Sequence, residues 1–121
     1  MQIAVLAHDY HTVRVIEMLL EREQHSVSCF GKLEQLECSK QTFDVLLFDP
    51  GNLEAAGAML QCLTGWRPKM RRILVTHFAS VAVLARQKKQ PILFLPCSRR
   101  LFLALVENKK PLEWEEASRG A

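Results

Sequence analysis

The 121-residue sequence has no long hydrophobic segment, few aromatic residues and no paired cysteine motif. No apolar run approaches the roughly 18 residues that a membrane-spanning helix needs, so we expect no membrane contact. The four cysteines form no C-x-x-C pair. Their spacing argues against a zinc site and favours reduced thiols in a cytoplasmic protein. The first residues also lack the pattern of a secretory signal.

Charge is distributed unevenly along the chain. Residues 1–61 carry four basic and nine acidic side chains, a net charge of −5, whereas residues 62–121 carry 12 and four, a net charge of +8. The basic residues occur in pairs, such as Lys88–Lys89 and Arg99–Arg100, and not in a stripe interleaved with aromatics. Nucleic-acid binding by this domain is therefore disfavoured. We expect a solvated rim or a surface that faces an acidic protein partner.

Short apolar runs predict the strands of a buried sheet, because they do not alternate with polar residues. These runs are Ile3–Ala7, Val45–Phe48, Ile73–Val75 and Ile92–Leu95. The alternating run Ser26–Phe30 predicts a fifth, more exposed strand.

Helical patterns follow each of these strands, which predicts an α/β fold with a doubly wound parallel sheet. The predicted helices are Thr12–Arg22, Leu33–Ser39, Glu54–Leu63, Ser80–Lys88 and a last helix that begins after Pro96 with Ser98 as its N-cap. The length suits one domain with a single core. We assign residues 1–107 to this domain and residues 108–121 to a C-terminal extension or the start of a linker, in which docking of Trp114 on the domain is considered.

A carboxylate, Asp49, ends the third apolar run and precedes Pro50–Gly51. The ends of the neighbouring runs carry Asp9, Thr76 and His77. Open α/β sheets bind ligands at the carboxyl ends of their strands, so these side chains mark the candidate functional site.

Taken together, residues 1–107 resemble a response-regulator receiver domain of the CheY-like type, the phosphoacceptor module of two-component signalling. The matching segments are Ile3 to Glu23, Asp44-Val-Leu-Leu-Phe-Asp49, Ile73-Leu-Val-Thr76 and Pro96 with the helix after it. Gly57 matches the Asp-Gly turn of the family. The resemblance implies a flavodoxin-like fold, with five parallel strands in the order 2-1-3-4-5 and helices on both faces. It also implies that Asp49 is the phosphoacceptor and that Thr76 is a hydroxyl ligand of the phosphoryl group.

The chain departs from the receiver pattern where the family binds magnesium. The two acidic positions after the first strand match Ala7 and His8, and Asp9 lies one position later. Because Mg²⁺ prefers carboxylate oxygens, tight binding is disfavoured, and Asp9 and Asp49 are the remaining ligand candidates. Capping of the first helix is the favoured role of Asp9.

Three further positions depart from the pattern. Leu95 replaces the lysine that pairs with the phosphoryl group, and Ile92 replaces the aromatic switch residue of the fifth strand. His77 replaces the small residue after Thr76. A protonated His8 or His77 beside the acceptor would partly mimic neutralisation by a metal ion and would respond near neutral pH.

These departures predict a degenerate receiver, or pseudo-receiver, of a bacterial two-component system or phosphorelay. It would act mainly through protein–protein contact, with Asp49 phosphorylation lost or vestigial. The expected partners are an effector or a histidine kinase, with self-association through the face formed by residues 78–106. We expect no cofactor and no enzymatic activity, apart from residual autophosphorylation and dephosphorylation at Asp49.

Two alternatives remain open at this point. The first is a working atypical phosphoacceptor, in which Asp49 and Asp9 bind Mg²⁺. The second is a small flavodoxin-like ligand binder, which is disfavoured because residues 7–11 lack the Gly/Ser/Thr-rich loop that flavin nucleotides need.

Overall fold

Strands and helices alternate along residues 1–108, the part of the chain that this computed structural model describes. The elements are β1 Gln2–Leu6, α1 Tyr10–Arg22, β2 Ser26–Phe30, α2 Leu33–Cys38, β3 Val45–Phe48, α3 Leu53–Leu63, β4 Arg71–Thr76, α4 Ala79–Gln87, β5 Ile92–Phe94 and α5 Arg99–Val106. The predicted elements are all present, and most of their bounds differ from the predicted ones by one or two residues.

The five strands form one parallel sheet in the order β2-β1-β3-β4-β5, which confirms the predicted fold class. β3 lies at the centre of this order, and its residues Val45–Phe48 are all buried. β2 lies at one edge and is largely half-exposed or exposed, as its alternating pattern predicted. Because all the strands are parallel, their carboxyl ends meet along one edge of the sheet.

Two hydrophobic layers cover the two faces of the sheet, since successive side chains of a strand point to opposite faces. Leu46 and Phe48 of β3 pack in the layer that contains α2, α3 and α4. Val45 and Leu47 pack in the layer that contains α1 and α5. The sheet thus places α1 and α5 side by side on one face, with the remaining helices on the other.

The last helix begins as the sequence predicted. The Ser98 side chain caps α5 by accepting a hydrogen bond from the Leu101 amide at 3.1 Å. Phe102 and Val106 are buried as expected, whereas Leu101 and Leu105 of the same face are half-buried.

Several arginines of the basic half bind backbone carbonyl groups, so the expectation of a solvated rim holds for only part of that half. The guanidinium of Arg71 donates to Leu105 O at 2.7 Å and to Val106 O at 2.8 Å, which ties β4 to the end of α5. Arg67 donates to two carbonyls of the loop between α2 and β3, and Arg72 to the Trp66 carbonyl. These guanidinium groups donate hydrogen bonds to carbonyl groups that lie at the end of a helix or in a loop, where the regular backbone pairing stops.

Gly57 does not form the turn that the resemblance implied. It lies inside α3, and the glycine of the turn after β3 is Gly51, which follows Asp49 and Pro50. Gly51 has a φ of +86°, a conformation that L-residues with a side chain rarely adopt. The turn after the acceptor strand therefore depends on Gly51.

Most of the predicted C-terminal extension, including Trp114, lies outside the described residues. Within residues 1–108, no helix is long and apolar enough to cross a membrane.

Candidate functional site

Asp49 directly follows β3 at the carboxyl edge of the sheet and is 8% exposed. Its amide donates to Leu6 O at 2.9 Å, which continues the β1–β3 pairing by one residue. Its carboxylate oxygen Oδ1 accepts a hydrogen bond from the Gly51 amide at 2.9 Å. None of the ion pairs among residues 1–108 involves Asp49. The acceptor candidate is thus a nearly buried carboxylate held by a backbone turn.

Thr76 lies at the end of β4, the strand next to β3, and is 1% exposed. Its hydroxyl oxygen accepts a hydrogen bond from the Phe78 amide at 3.1 Å, at the start of α4. Asp49 and Thr76 are the two buried polar or charged residues of the described chain, and both lie at the carboxyl edge of adjacent strands. The sequence-predicted acceptor and hydroxyl therefore lie at the same edge of the sheet, on adjacent strands.

The residues after β1 do not supply a second buried carboxylate. Because the Asp49 amide binds Leu6 O, the β1 residue beside Asp49 is Ala7, whose side chain is buried. His8 is exposed. The described residues contain no cluster of three or more His, Cys, Asp and Glu side chains that could hold a metal ion.

Asp9 is the N-cap of α1. Its Oδ1 accepts from the His11 amide at 3.1 Å, and its Oδ2 accepts from the Thr12 hydroxyl at 2.7 Å. The hydrogen bond from the Thr12 hydroxyl, which has the larger effect, and the one from the His11 amide hold the pKa of Asp9 below its ordinary value. Both oxygens of this carboxylate therefore already have donors at the start of a helix, and a magnesium ion would have to displace them.

The remaining departures from the receiver pattern are apolar or aromatic side chains in different surroundings. The Leu95 side chain packs with the core layer of α1 and α5, and the Leu95–Pro96 peptide bond is cis. Ile92 packs with the layer on the opposite face of the sheet. The exposed His77 ring lies against that of Phe78, with 4.4 Å between the ring centroids.

The donor set of this site is the minimum that a magnesium ion accepts from a protein. One buried carboxylate is present, a methyl group lies beside it, and the next acidic side chain caps a helix. Mg²⁺ dehydrates reluctantly and is usually held by one or two carboxylates together with water and phosphate oxygens. The site retains a nucleophilic carboxylate and a hydroxyl, but the described residues supply no cation from the lysine position, where Leu95 stands.

No protein-family model matches the chain, and no curated protein matches it in sequence. Solved structures do match. A receiver domain protein from Methanospirillum hungatei has a TM-score of 0.71 at 18% identity, with 99% of this chain and 98% of that chain covered. A putative pilus assembly protein (cpaE) from Burkholderia thailandensis has a TM-score of 0.72 at 18% identity, covering 89% and 96%.

The chain has the fold of a response-regulator receiver domain. A third match, the beryllofluoride-activated NtrC4 receiver domain dimer, has a TM-score of 0.71 at 18% identity and covers 88% of this chain and 93% of that one. Sequence identities at this level establish the fold alone. Within the receiver fold, Asp49 and Thr76 stand at the strand ends where the resemblance placed them.

Sequence reasoning missed two partners of the site and one surface. The partners are the Gly51 and Phe78 amides, which hydrogen bond to Asp49 and Thr76 and which no side-chain motif reveals. The surface is a groove between α1 and α5. Val15 and Leu19, two apolar residues four positions apart on α1, line this groove, and their spacing could have indicated it.

Proposed function

We propose that this receiver-fold domain is a pseudo-receiver of bacterial two-component signalling, which works in the cytoplasm through contacts with other proteins. The observation that carries the proposal is the position of Ala7 beside the buried Asp49. A phosphoacceptor needs positive charge to neutralise the transferred phosphoryl group. This site has few ligands for a magnesium ion and no lysine at position 95. Signalling would then depend on which partner the domain binds and not on its phosphorylation state.

The energetic argument rests on two missing charges. With one buried carboxylate, a strongly hydrated Mg²⁺ has few ligands to replace its water shell. With Leu95 at the lysine position, the developing charge loses a second preorganised cation. Removal of one such electrostatic group typically costs roughly 3 kcal/mol of barrier, and two removals at one site need not be additive. Phosphorylation at Asp49 would accordingly be slow by several orders of magnitude.

Incubation with acetyl phosphate and Mg²⁺, followed by intact-protein mass spectrometry, tests this proposal. We expect no phosphoryl adduct on the wild-type chain, and the same result for Asp49→Asn. An adduct that forms on the wild type and is lost in Asp49→Asn would instead establish a working atypical phosphoacceptor. Asp9→Asn would then show whether Asp9 assists, because asparagine keeps the helix cap but removes the charge.

The proposed contact surface is the face formed by residues 78–106, and its exposed apolar side chains support it. Phe78 caps α4, Val83 lies on α4, and Phe94 ends β5. Phe94 pairs with Thr76 in the sheet and lies on the same face as Ile92, which packs in the α4 layer. These three side chains are 44%, 51% and 42% exposed, respectively. The NtrC4 receiver with this fold forms a dimer, so we propose self-association through this face.

Sedimentation equilibrium of two matched variants tests the contact surface. Val83→Glu places a charge on the proposed face, whereas Leu53→Glu places the same charge on α3, at a residue that is 49% exposed. We expect Val83→Glu to weaken self-association at least roughly tenfold, because it buries an unpaired charge, and Leu53→Glu to leave it unchanged. Equal behaviour of the two variants would contradict the assignment of this face.

A further inference from the structure

A groove of about 580 Å³ runs between α1 and α5. Its floor consists of Ile16, Leu95 and Phe102, which belong to the core layer beneath these helices. Val15 forms part of its wall and is 57% exposed. Neither Asp49 nor Thr76 lines the groove, but His77 and Leu95, two of the departures from the receiver pattern, do. The groove therefore adjoins the candidate phosphoacceptor site.

The dimensions of this groove suit a small elongated molecule. Its volume lies within the range of about 300–1,000 Å³ that small-molecule sites span, and such sites are mostly apolar. Along α1, the lining residues extend from His11 to Leu19. Eight helical steps of 1.5 Å correspond to about 12 Å of apolar wall. An extended alkyl chain matches this shape better than a compact polar metabolite does.

The end of the groove nearest the carboxyl edge of the sheet is polar. His11, from the first turn of α1, and His77, from the tip of β4, both line this end, and each imidazole ring can donate an N–H group. Ser98, the N-cap of α5, also lines the groove. The ionised carboxylate of Asp9 lies close to His11 at the start of α1, where its oxygens accept hydrogen bonds from the His11 amide and the Thr12 hydroxyl. What this end of the groove offers a ligand is the N–H donors of two imidazole rings, which suit a head group that accepts hydrogen bonds.

The other charged lining residue is Arg99. Its guanidinium lies 2.6 Å from the Glu23 carboxylate, and this ion pair joins α5 to the end of α1. Because Arg99 already faces a carboxylate, the histidine end is the better position for the head group of a bound anion.

We propose that the groove between α1 and α5 binds an amphipathic small-molecule carboxylate with a medium-length apolar chain. The apolar chain lies over Ile16, Leu95 and Phe102, and the carboxylate accepts hydrogen bonds from the rings of His11 and His77. Leu95 contributes directly to this site, since a lysine at that position would place a charge in the apolar floor. The residue that weakens the phosphoacceptor site therefore also forms the floor of the groove.

Titration of the ¹⁵N-labelled 121-residue chain with decanoate, below its micellisation concentration, tests the proposal, with 1-decanol as the uncharged probe. We expect saturable amide shifts confined to the residues around the groove, at the start of α1, the end of α1 and the first turn of α5. Since a charged acceptor roughly doubles the strength of a hydrogen bond, decanol should bind roughly tenfold more weakly. In the double variant His11→Phe/His77→Phe, which keeps two aromatic rings but removes their N–H donors, this preference for the carboxylate should disappear.

Two α1 variants provide a matched control. Val15 and Met18 are both 57% exposed, but only Val15 lines the groove. Val15→Asp should abolish saturable decanoate binding, whereas Met18→Asp should retain it. Several results would overturn the proposal: absence of saturable shifts, equal loss in the two variants, or equal binding of decanol and decanoate by the wild type. Shifts that follow protein concentration and not decanoate would assign the groove to a second copy of the chain, and would equally overturn it.

Discussion

The amide of Asp49 donates to the carbonyl of Leu6 at 2.9 Å, so the residue that lies beside the Asp49 carboxylate on the neighbouring strand is Ala7. This backbone hydrogen bond fixes which residue of β1 faces the acceptor. A shift by one residue, which would bring His8 beside Asp49, is incompatible with the observed β1–β3 register. The methyl group of Ala7 therefore occupies a position that the receiver resemblance assigns to a magnesium ligand.

Restoring the missing charges should restore metal binding. In the triple variant Ala7→Asp/His8→Asp/Leu95→Lys, two carboxylates join Asp49 and a cation returns to the lysine position. We expect this variant to bind Mg²⁺ measurably by isothermal titration calorimetry, where the wild type gives no binding heat, because the two added carboxylates supply hard oxygen ligands and negative charge beside Asp49. The control is Ala7→Asn/His8→Asn/Leu95→Lys, which lacks the two new carboxylates and should, like the wild type, give no binding heat with Mg²⁺. Failure of the triple variant to gain binding would contradict the assignment of these three positions.

The N-cap of α1 should give the stability of the domain a dependence on acidic pH. The Thr12 hydroxyl and the His11 amide hold the pKa of Asp9 below its ordinary value of 3.8. A carboxyl group whose pKa is lowered by folding stabilises the protein above its unfolded-state pKa, and this contribution is lost as the pH falls through the folded-state pKa. Urea unfolding of Asp9→Asn should thus match the wild type more closely at pH 3 than at pH 6. A constant difference between the two proteins would contradict this assignment.

Arg71 should contribute strongly to the attachment of α5. Its guanidinium makes two hydrogen bonds to carbonyl groups at the end of this helix, and the side chain is half-buried. Because a hydrogen bond with a charged donor contributes about 1.5–3 kcal/mol, Arg71→Ala should lower the free energy of unfolding by about 2–3 kcal/mol in urea titrations. The exposed Arg86→Ala, on α4, is the control and should change it by less than about 0.5 kcal/mol. Similar values for the two variants would show that the Arg71 contacts contribute little.

The thiol of Cys29 should be alkylated more slowly than that of a cysteine with the ordinary pKa. Cys29 is exposed, as Cys38 is, but local desolvation of its sulfur and the Glu17 carboxylate, at 3.5 Å, raise the pKa of Cys29 from 9.0 to about 11. Two pKa units lower the thiolate population roughly 100-fold, and the higher nucleophilicity of the more basic thiolate recovers about half of this on a logarithmic scale. Alkylation by iodoacetamide at pH 8 should therefore be roughly tenfold slower than for a thiol with the ordinary pKa.

Mass spectrometry of the alkylated peptides measures this rate, with the exposed Cys38 as the internal reference. Glu17→Gln should accelerate modification of Cys29, because it removes a negative charge beside the sulfur. Glu34→Gln, on α2, should have no effect. Equal rates for Cys29 in the wild type and in Glu17→Gln would contradict the role of Glu17.

Much of the fold could be predicted from the sequence, because its elements are locally consistent. The buried strands are continuous apolar runs, and each helix has a clear apolar face, so the order of elements implied a parallel sheet. The Ser98 cap was predictable for the same reason, since a serine stands directly before an amphipathic segment. For Gly57 the two sequence arguments disagreed: the Ala- and Leu-rich pattern of residues 54–63 predicted a helix, which the structure shows, whereas the family match implied a turn, which it does not.

The candidate site was less predictable, because it depends on register and on backbone groups. The sequence indicated Asp49 and Thr76 at strand ends, but only the β1–β3 hydrogen bonds reveal that Ala7 lies beside Asp49. The capping role of Asp9 was favoured from the sequence, and the hydrogen bonds from His11 and Thr12 are consistent with it. The groove between α1 and α5 was not predicted, because its lining combines residues from distant segments of the chain.

Titration of the wild-type protein with Mg²⁺ and beryllofluoride, a phosphoryl mimic, is the most direct test of the pseudo-receiver proposal. The amides of Asp49 and Thr76 report on the site in ¹H–¹⁵N spectra. We predict that neither amide shows a saturable shift at millimolar Mg²⁺, in a spectrum that otherwise indicates a folded protein. Saturable shifts at both residues, absent in Asp49→Asn, would contradict the pseudo-receiver proposal and establish a working acceptor site.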